Sequence, residues 1–288
     1  MINGSTALIA HIGFPTHTFK SPSIYNPYFE QAGIDAVLVP MASEAADFSH
    51  FLPALFTLRN VLGAVITMPH KVSTLGLLDR VSPAARMAGA CNAVRRGADG
   101  ALEGDMFDGI GFVRAVQRKG FQVRGARALV VGTGGVGSAI AASLAAEGVS
   151  AISLFDSRAE SAHALADRIQ QHCPSVQLST GSSDASGHDL VVNATPLGMN
   201  SGDPMPLDPE RIDAGAFVCD VVHSHEPTAF LRAAHTRGAR IQGGADMLFE
   251  QIPAYLAFFG LPSTTPEALR AFLIHPTQAQ TTFNLPKR

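Results

Sequence analysis

The chain has 288 residues, 46% hydrophobic and 16% charged, with a formal net charge of −3. At roughly 100–200 residues per domain this length supports two domains with sizeable cores, and the composition is the reverse of the charge-rich, apolar-poor signature of disorder. The balance of 21 Lys plus Arg against 24 Asp plus Glu, with no basic run, excludes an electrostatic footprint for nucleic acid or an acidic membrane surface. In chain order, apolar periodicity predicts a strand near residues 6–12, a helix near 23–32, a strand near 36–40 and a strand at 63–67. These elements describe a first α/β unit. Residues 126–156 read as a βαβ unit: a strand at 129–131, a helix at 136–147 that stops near Gly148, and a strand at 151–155. Helices are expected at 159–172 and 228–237, and strands at 190–193, 217–222 and 239–242; this alternation builds a parallel, doubly wound sheet. Two more helical periods follow, in 246–260 and 266–275, before a loose polar tail at 276–288.

Cys91, Cys173 and Cys219 are widely spaced and form no C-x-x-C pair, the pattern of free thiols in a reducing compartment. The N-terminal MINGSTALIAHIGF lacks a basic region and is broken at His11, and no window offers the ~18 unbroken apolar residues of a membrane span. A soluble, cytoplasmic protein is expected. His11, His17, His70, His223 and His225 lack H-x-x-H or HExxH spacing and read as solvated or hydrogen-bonded structural histidines, so no metal site is expected. The absence of a G-x-S-x-G elbow and of a P-loop removes serine hydrolases and nucleotide phosphohydrolases. No heptad or isolated apolar stripe marks an assembly, which leaves monomer or homodimer.

Gly132-Thr-Gly134-Gly135-Val136-Gly137 follows a strand and opens a helix, where glycines allow a tight turn and let backbone N–H groups approach a pyrophosphate. Asp156 ends the next strand about 20 residues further on, placed to accept hydrogen bonds from ribose hydroxyls and to repel a 2′-phosphate. That favours NAD, although Arg158 could reach a phosphate and keeps NADP possible. A purely local role for Asp156, capping the turn that follows, is the alternative. A nicotinamide enzyme acting on an alcohol or ketone needs a group that exchanges the hydroxyl proton. Lys71, after the strand-like GAVITMPHK, and Asp108, in the glycine-flanked link GDMFDGIG, are candidates, and spacing alone does not show that they meet.

The segments GFPTHTFKSPSIYN (13–26), GAVITMPHK (63–71), AGACNAV (88–94), GDMFDGIGF (104–112), VVGTGGVGSA (130–139), NATPLGM (193–199) and GGADMLFEQ (243–251) stand in one order along the chain. Together they resemble the shikimate dehydrogenase family, which includes the quinate/shikimate dehydrogenases, over roughly residues 6–275. The resemblance implies an oxidoreductase that interconverts a cyclic polyol carboxylate and its 3-keto form with a nicotinamide cofactor. It implies the two-domain α/β fold: a substrate-binding, catalytic domain over 1–105, joined by the C-terminal helices of 246–275, and a Rossmann-type NAD(P)-binding domain over 106–245. It makes Lys71 and Asp108 the catalytic pair, and Ser21, Thr67, Asn92 and Gln251 contacts of the small-molecule substrate. It extends the cofactor set from the glycine loop, Asp156, Ser157 and Arg158 to Thr195, Met199, Val222 and Gly244.

The departures from the family pattern are equally specific. TFKSP stands for HSxSP, so Phe19 replaces one of two carboxylate-binding hydroxyls; Val65 stands where an Asn is usual, and Met106-Phe107 replace Asn-Thr. Each exchanges polar recognition for apolar bulk and points to a substrate less polar than shikimate or differently substituted. Asp156-Ser157-Arg158 replaces the NADP-type Asn-Arg-Thr, in keeping with NAD, and His223 stands where many members have a Tyr near the nicotinamide. A paralogue acting on a less polar or amino-substituted hydroxy acid and a non-catalytic dinucleotide or metabolite sensor are the rival readings. Intact Lys71, Asp108, Asn92 and Gln251 speak against the sensor.

Overall fold

In the computed structural model, which describes residues 2–224 and 226–274, the chain opens with β1 (Ala7–Gly13), α1 (Pro22–Gln31), β2 (Ala36–Ala42), α2 (Ala45–Leu55) and β3 (Val61–Ile66). It continues with β4 (Arg80–Val81), α3 (Pro83–Ala88), β5 (Ala93–Arg96) and β6 (Leu102–Asp105). Then come α4 (Asp108–Arg118), β7 (Arg127–Val131), α5 (Gly135–Ala146), β8 (Ala151–Phe155), α6 (Ala159–His172) and β9 (Gln177–Thr180). The last described elements are β10 (Leu190–Asn193), β11 (Phe217–Asp220), α7 (Ala229–Thr236), β12 (Arg240–Gln242), α8 (Ala245–Phe258) and α9 (Pro266–Ile274). The tail expected at 276–288 lies outside the described residues.

The first sheet has the order β2-β1-β3-β5-β6-β4 and is mixed: β1 runs parallel to β2 and β3, whereas β5 is antiparallel to β3 and β6. Alternation along the strands gives it two apolar faces. Ile9, Val65 and Ala93 pack with Ile24, Tyr25 and Phe29 of α1 and with Phe249, Ile252 and Tyr255 of α8. Ala10, Ile12, Ala64 and Ile66 face Phe48, Leu52 and Leu55 of α2. The C-terminal helices thus complete the core of the first sheet.

The second sheet, β12-β11-β10-β7-β8-β9, is parallel throughout, as the alternation of elements predicts. Its strand order reverses between β7 and β10, and ligands of doubly wound sheets bind outside the carboxyl ends of the strands at such a reversal. β11 ends at Asp220, short of the expected residue 222, which leaves Val222 in the following loop. Asp108 is corrected as well: the stretch read as a link becomes α4, with Asp108 as its first residue. This helix packs between α5 and α8 and so connects the two sheets. Among the described residues, no helix is long and apolar enough to cross a membrane.

Candidate active site

Lys71 and Asp108 meet. Lys71 Nζ donates to Asp108 Oδ2 at 2.5 Å, and the two side chains are 12% and 4% exposed. Lys71 lies beyond β3 in a loop fastened by its own carbonyl, which accepts the Cys91 N–H at 2.8 Å. Asp108 sits at the N-terminus of α4, where unpaired backbone N–H groups favour a carboxylate. The arrangement is an ammonium and a carboxylate in a water-poor recess, able to hold and pass a proton.

The other substrate-side candidates divide. Asn92 is fully buried; its Oδ1 accepts the Phe107 N–H at 2.9 Å while its Nδ2 has no partner among the described residues. Gln251, on α8 beside Gly111 of α4, likewise keeps a buried Oε1 without a partner. Ser21 precedes α1 but does not cap it with its side chain. Thr67 follows β3, half-buried, with its methyl group close to Gly13. Val65 lies in the core face of β3, and Phe19 stacks on His11 with ring centroids 4.1 Å apart. Met106 and Phe107 are both buried among apolar side chains. Met106 belongs to the core around α4 and α5, and Phe107 packs edge-on against Tyr255 and Phe258.

On the facing side, the glycine loop joins β7 to α5. Gly132 has φ +96, and a Cβ on Gly137 would lie 1.8 Å from the Gly132 carbonyl oxygen, so only hydrogen there lets α5 close onto the strand. The first intrahelical bond is Ser138 N–H to Gly134 O, which leaves the N–H groups of Gly135, Val136 and Gly137 for an anion. A Cβ on Gly135 would stand 3.0 Å from Lys71 Cβ, so Lys71 borders the glycine turn. Asp156 Oδ2 accepts from the Thr133 N–H and hydroxyl, and Oδ1 from the Arg158 N–H. Burial opposes its ionisation, but these hydrogen bonds outweigh burial and hold the carboxyl below its ordinary range. The local capping role therefore exists, and the carboxylate retains lone pairs for a ligand. Ser157 and Arg158 are exposed beside it.

Thr195 and Met199 lie in the loop after β10, Val222 in the loop after β11, and Gly244 at the start of α8, where a Cβ would meet the Val221 carbonyl oxygen at 2.4 Å. A buried network shapes these loops. Asn193 Oδ1 accepts from Thr195, and its Nδ2 donates to Asp220, which also accepts from Val222 N–H and the Thr228 hydroxyl. Burial pushes the Asp220 carboxyl above its ordinary range. His223, in the same loop as Val222, lies within electrostatic reach of Asp108, Lys71 and Lys20.

The family model described as "Shikimate dehydrogenase substrate binding domain" matches residues 11–94, and the one described as "Shikimate / quinate 5-dehydrogenase" matches residues 114–198. A shikimate dehydrogenase (NADP(+)) of Rubrobacter xylanophilus is 36% identical over 265 residues, covering 90% of this chain and 93% of the relative. The chain belongs to the shikimate dehydrogenase family. Among solved members, the shikimate 5-dehydrogenase of Listeria monocytogenes, in complex with shikimate and NAD, superposes with a TM-score of 0.84 at 26% identity, covering 94% and 98% of the two chains. The quinate dehydrogenase of Corynebacterium glutamicum, in complex with NAD, gives 0.82 at 28% identity, covering 93% and 99%. As a member of this family the protein is an NAD(P)-dependent oxidoreductase.

Three features of this family member escape sequence reasoning. Thr133 and the Asn193–Asp220–Thr228 network hold the cofactor-side loops, and only a buried polar pattern at strand ends signals them. His11 also departs from its expected role. His70 is hydrogen-bonded through Nε2 to Ser43 O as a structural histidine should be, but His11 has no such bond among the described residues. His225 lies outside the described residues.

Proposed function

We propose that the protein interconverts a secondary alcohol on a shikimate- or quinate-type ring with its 3-keto form, using NAD in preference to NADP. The observation that carries this reading is the buried Lys71–Asp108 pair set between the glycine turn and the unpartnered amide atoms of Asn92 and Gln251. The bound nicotinamide ring supplies hydride acceptance or donation. Gly134, Gly135, Val136 and Gly137 would hold its diphosphate, and Asp156 its adenosine ribose, with Thr195, Met199, Val222 and Gly244 lining the rest. The cradle fits: three backbone N–H groups at the start of α5 are left without intrahelical acceptors, and only a glycine at 135 lets Lys71 approach the turn so closely.

The Lys71–Asp108 pair, once it has released a proton, takes the hydroxyl proton at Lys71 Nζ as the alcohol is oxidised, and the protonated lysine returns it to the ketone oxygen in reduction. Asp108 fixes the lysine through the hydrogen bond it accepts from Nζ. Asn92 Nδ2 donates to, and Gln251 Oε1 accepts from, ring hydroxyls, and Ser21 and Thr67 add hydroxyl contacts. Leaving either amide atom unpaired beside a buried ligand would cost about 1–3 kcal/mol, which is why a polyhydroxylated ring suits the site. The ionised Asp156 repels a 2′-phosphate and so supports NAD. Phe19 favours a second reading, a ring substituted differently from shikimate at the end that meets it.

Initial rates with shikimate and quinate, each with NAD and NADP, test the proposal through absorbance of the reduced nicotinamide. NAD-linked turnover should exceed NADP-linked turnover. Lys71→Ala should lower kcat by about 10²–10⁴ with cofactor affinity unchanged, and a mutant as fast as wild type would remove Lys71 from the mechanism. No turnover with any of the four pairs, despite NAD binding, would favour the second reading.

A further inference from the structure

His11 stands on β1 in register with Val65 of β3 and Pro40 of β2, at the end of the sheet from which the Lys71 loop departs. It is 5% exposed, its Nδ1 is enclosed without a partner, and neither ring nitrogen bonds to protein among the described residues. Phe19 covers one face of the imidazole, the two planes inclined by 27°. Burial, reinforced by the nearby Lys71 ammonium, pushes the imidazole down to about 3, so the ring is neutral at ordinary pH. Buried polar groups in folded proteins are nearly always hydrogen-bonded, and one that is not calls for a functional account.

We propose that His11 and Phe19 form the specificity-determining wall of the substrate site, and that they select an uncharged oxygen substituent, hydroxyl or carbonyl, where a carboxylate would otherwise lie. The inference rests on Lys71 and Asp108 being the proton-exchanging pair. A carboxylate leaving water requires several donors or a facing cation. Here it would meet an aromatic face and a neutral imidazole with a single N–H, and Ser21 adds one hydroxyl. Lys20, next to Phe19, is exposed to solvent, and the Lys71 side chain near the imidazole is already paired with Asp108 at 2.5 Å. A hydroxyl fits better, because it donates and accepts as a neutral imidazole does, while Phe19 packs on the carbon that bears it. The substrate class is a ring polyol, or its ketone, with a neutral hydroxymethyl or hydroxyl group at that end.

The test compares NAD-linked initial rates on shikimate with those on its hydroxymethyl analogue, in which an alcohol replaces the carboxylate. Wild-type protein should favour the analogue by at least about tenfold in kcat/KM, with the difference lying in KM. His11→Leu should raise KM for the analogue about tenfold with little change in kcat, and His11→Gln should recover part of the loss. Phe19→Ser, at a half-buried position that does not depend on rebuilding the core, should improve turnover of shikimate. A merely structural His11 would lower stability and leave the ratio between the two substrates unchanged, which would overturn the proposal. Shikimate turned over as well as or better than the analogue by wild-type protein would also overturn it while leaving the Lys71–Asp108 reading intact. Turnover of neither compound would likewise overturn it.

Discussion

At the scale of a residue, His11 couples the site to acid stability. Its imidazole is shifted from 6.5 to about 3 by burial and by Lys71, so the folded protein refuses a proton that the unfolded chain accepts. Its contribution is therefore neutral above pH 6.5, turns against the fold as pH falls through that value, and is fully adverse below about pH 3. For one proton the slope approaches about 1.4 kcal/mol per pH unit. Urea denaturation at a series of pH values should show wild type losing stability more steeply than His11→Leu within this window. Equal slopes would mean that His11 is protonated in the fold and that the neutral-imidazole argument fails. Asp156 has the opposite sign: its lowered carboxyl stabilises the fold above the ordinary carboxylate range, and that support is lost as acid titrates the folded form.

At the scale of an element, the glycine loop depends on how closely α5 approaches β7. Gly137→Ala would drive a methyl group into the Gly132 carbonyl, so it should destabilise the protein by about 1–3 kcal/mol and weaken NAD binding. Gly134→Ala is the control, because a Cβ there meets nothing within 4 Å and should leave the melting temperature unchanged. Thermal melts of both variants, with calorimetric NAD titration of the first, would check this; a stable Gly137→Ala that binds NAD normally would refute it. The βαβ unit was legible because its apolar runs and Ala-rich helix carry strong periods. α4 was not, because Gly109 and Gly111 lower helix propensity. Those same glycines admit the Ala139 carbonyl of α5 and the Met247 carbonyl of α8, where any side chain would collide. β5 ends in Arg95-Arg96 and β6 reads Leu-Glu-Gly-Asp, so both owe their extension to pairing rather than to propensity. Lys71 and Asp108 could be named from their segments, but their contact spans two elements and only the fold makes it.

At the scale of the whole molecule, the proposed site lies where two sheets meet. We divide the chain into residues 1–105 with 246–275, whose described residues share the core completed by α8 and α9, and residues 106–245 around the parallel sheet. α4 bridges them, latched at its far end by Arg118 and Arg270, which both pair with the buried Glu250. At its near end, Asp108 holds a lysine delivered from the first sheet, and that lysine leans on the glycine turn of the second. A Cβ on Gly135 would press on the Lys71 stem, 3.0 Å from its Cβ and 3.2 Å from its Cδ, and swing Nζ off the Asp108 carboxylate. Displacements of this order at a reacting group cost up to about 10²-fold in rate. Gly135→Ala should therefore lower kcat by roughly 10- to 100-fold, with smaller changes in substrate KM and in NAD affinity. Steady-state kinetics alongside NAD titration would separate these effects. An unchanged kcat would mean that the working enzyme holds the two halves further apart than this structure does, and that Lys71 reaches the substrate without support from the glycine turn.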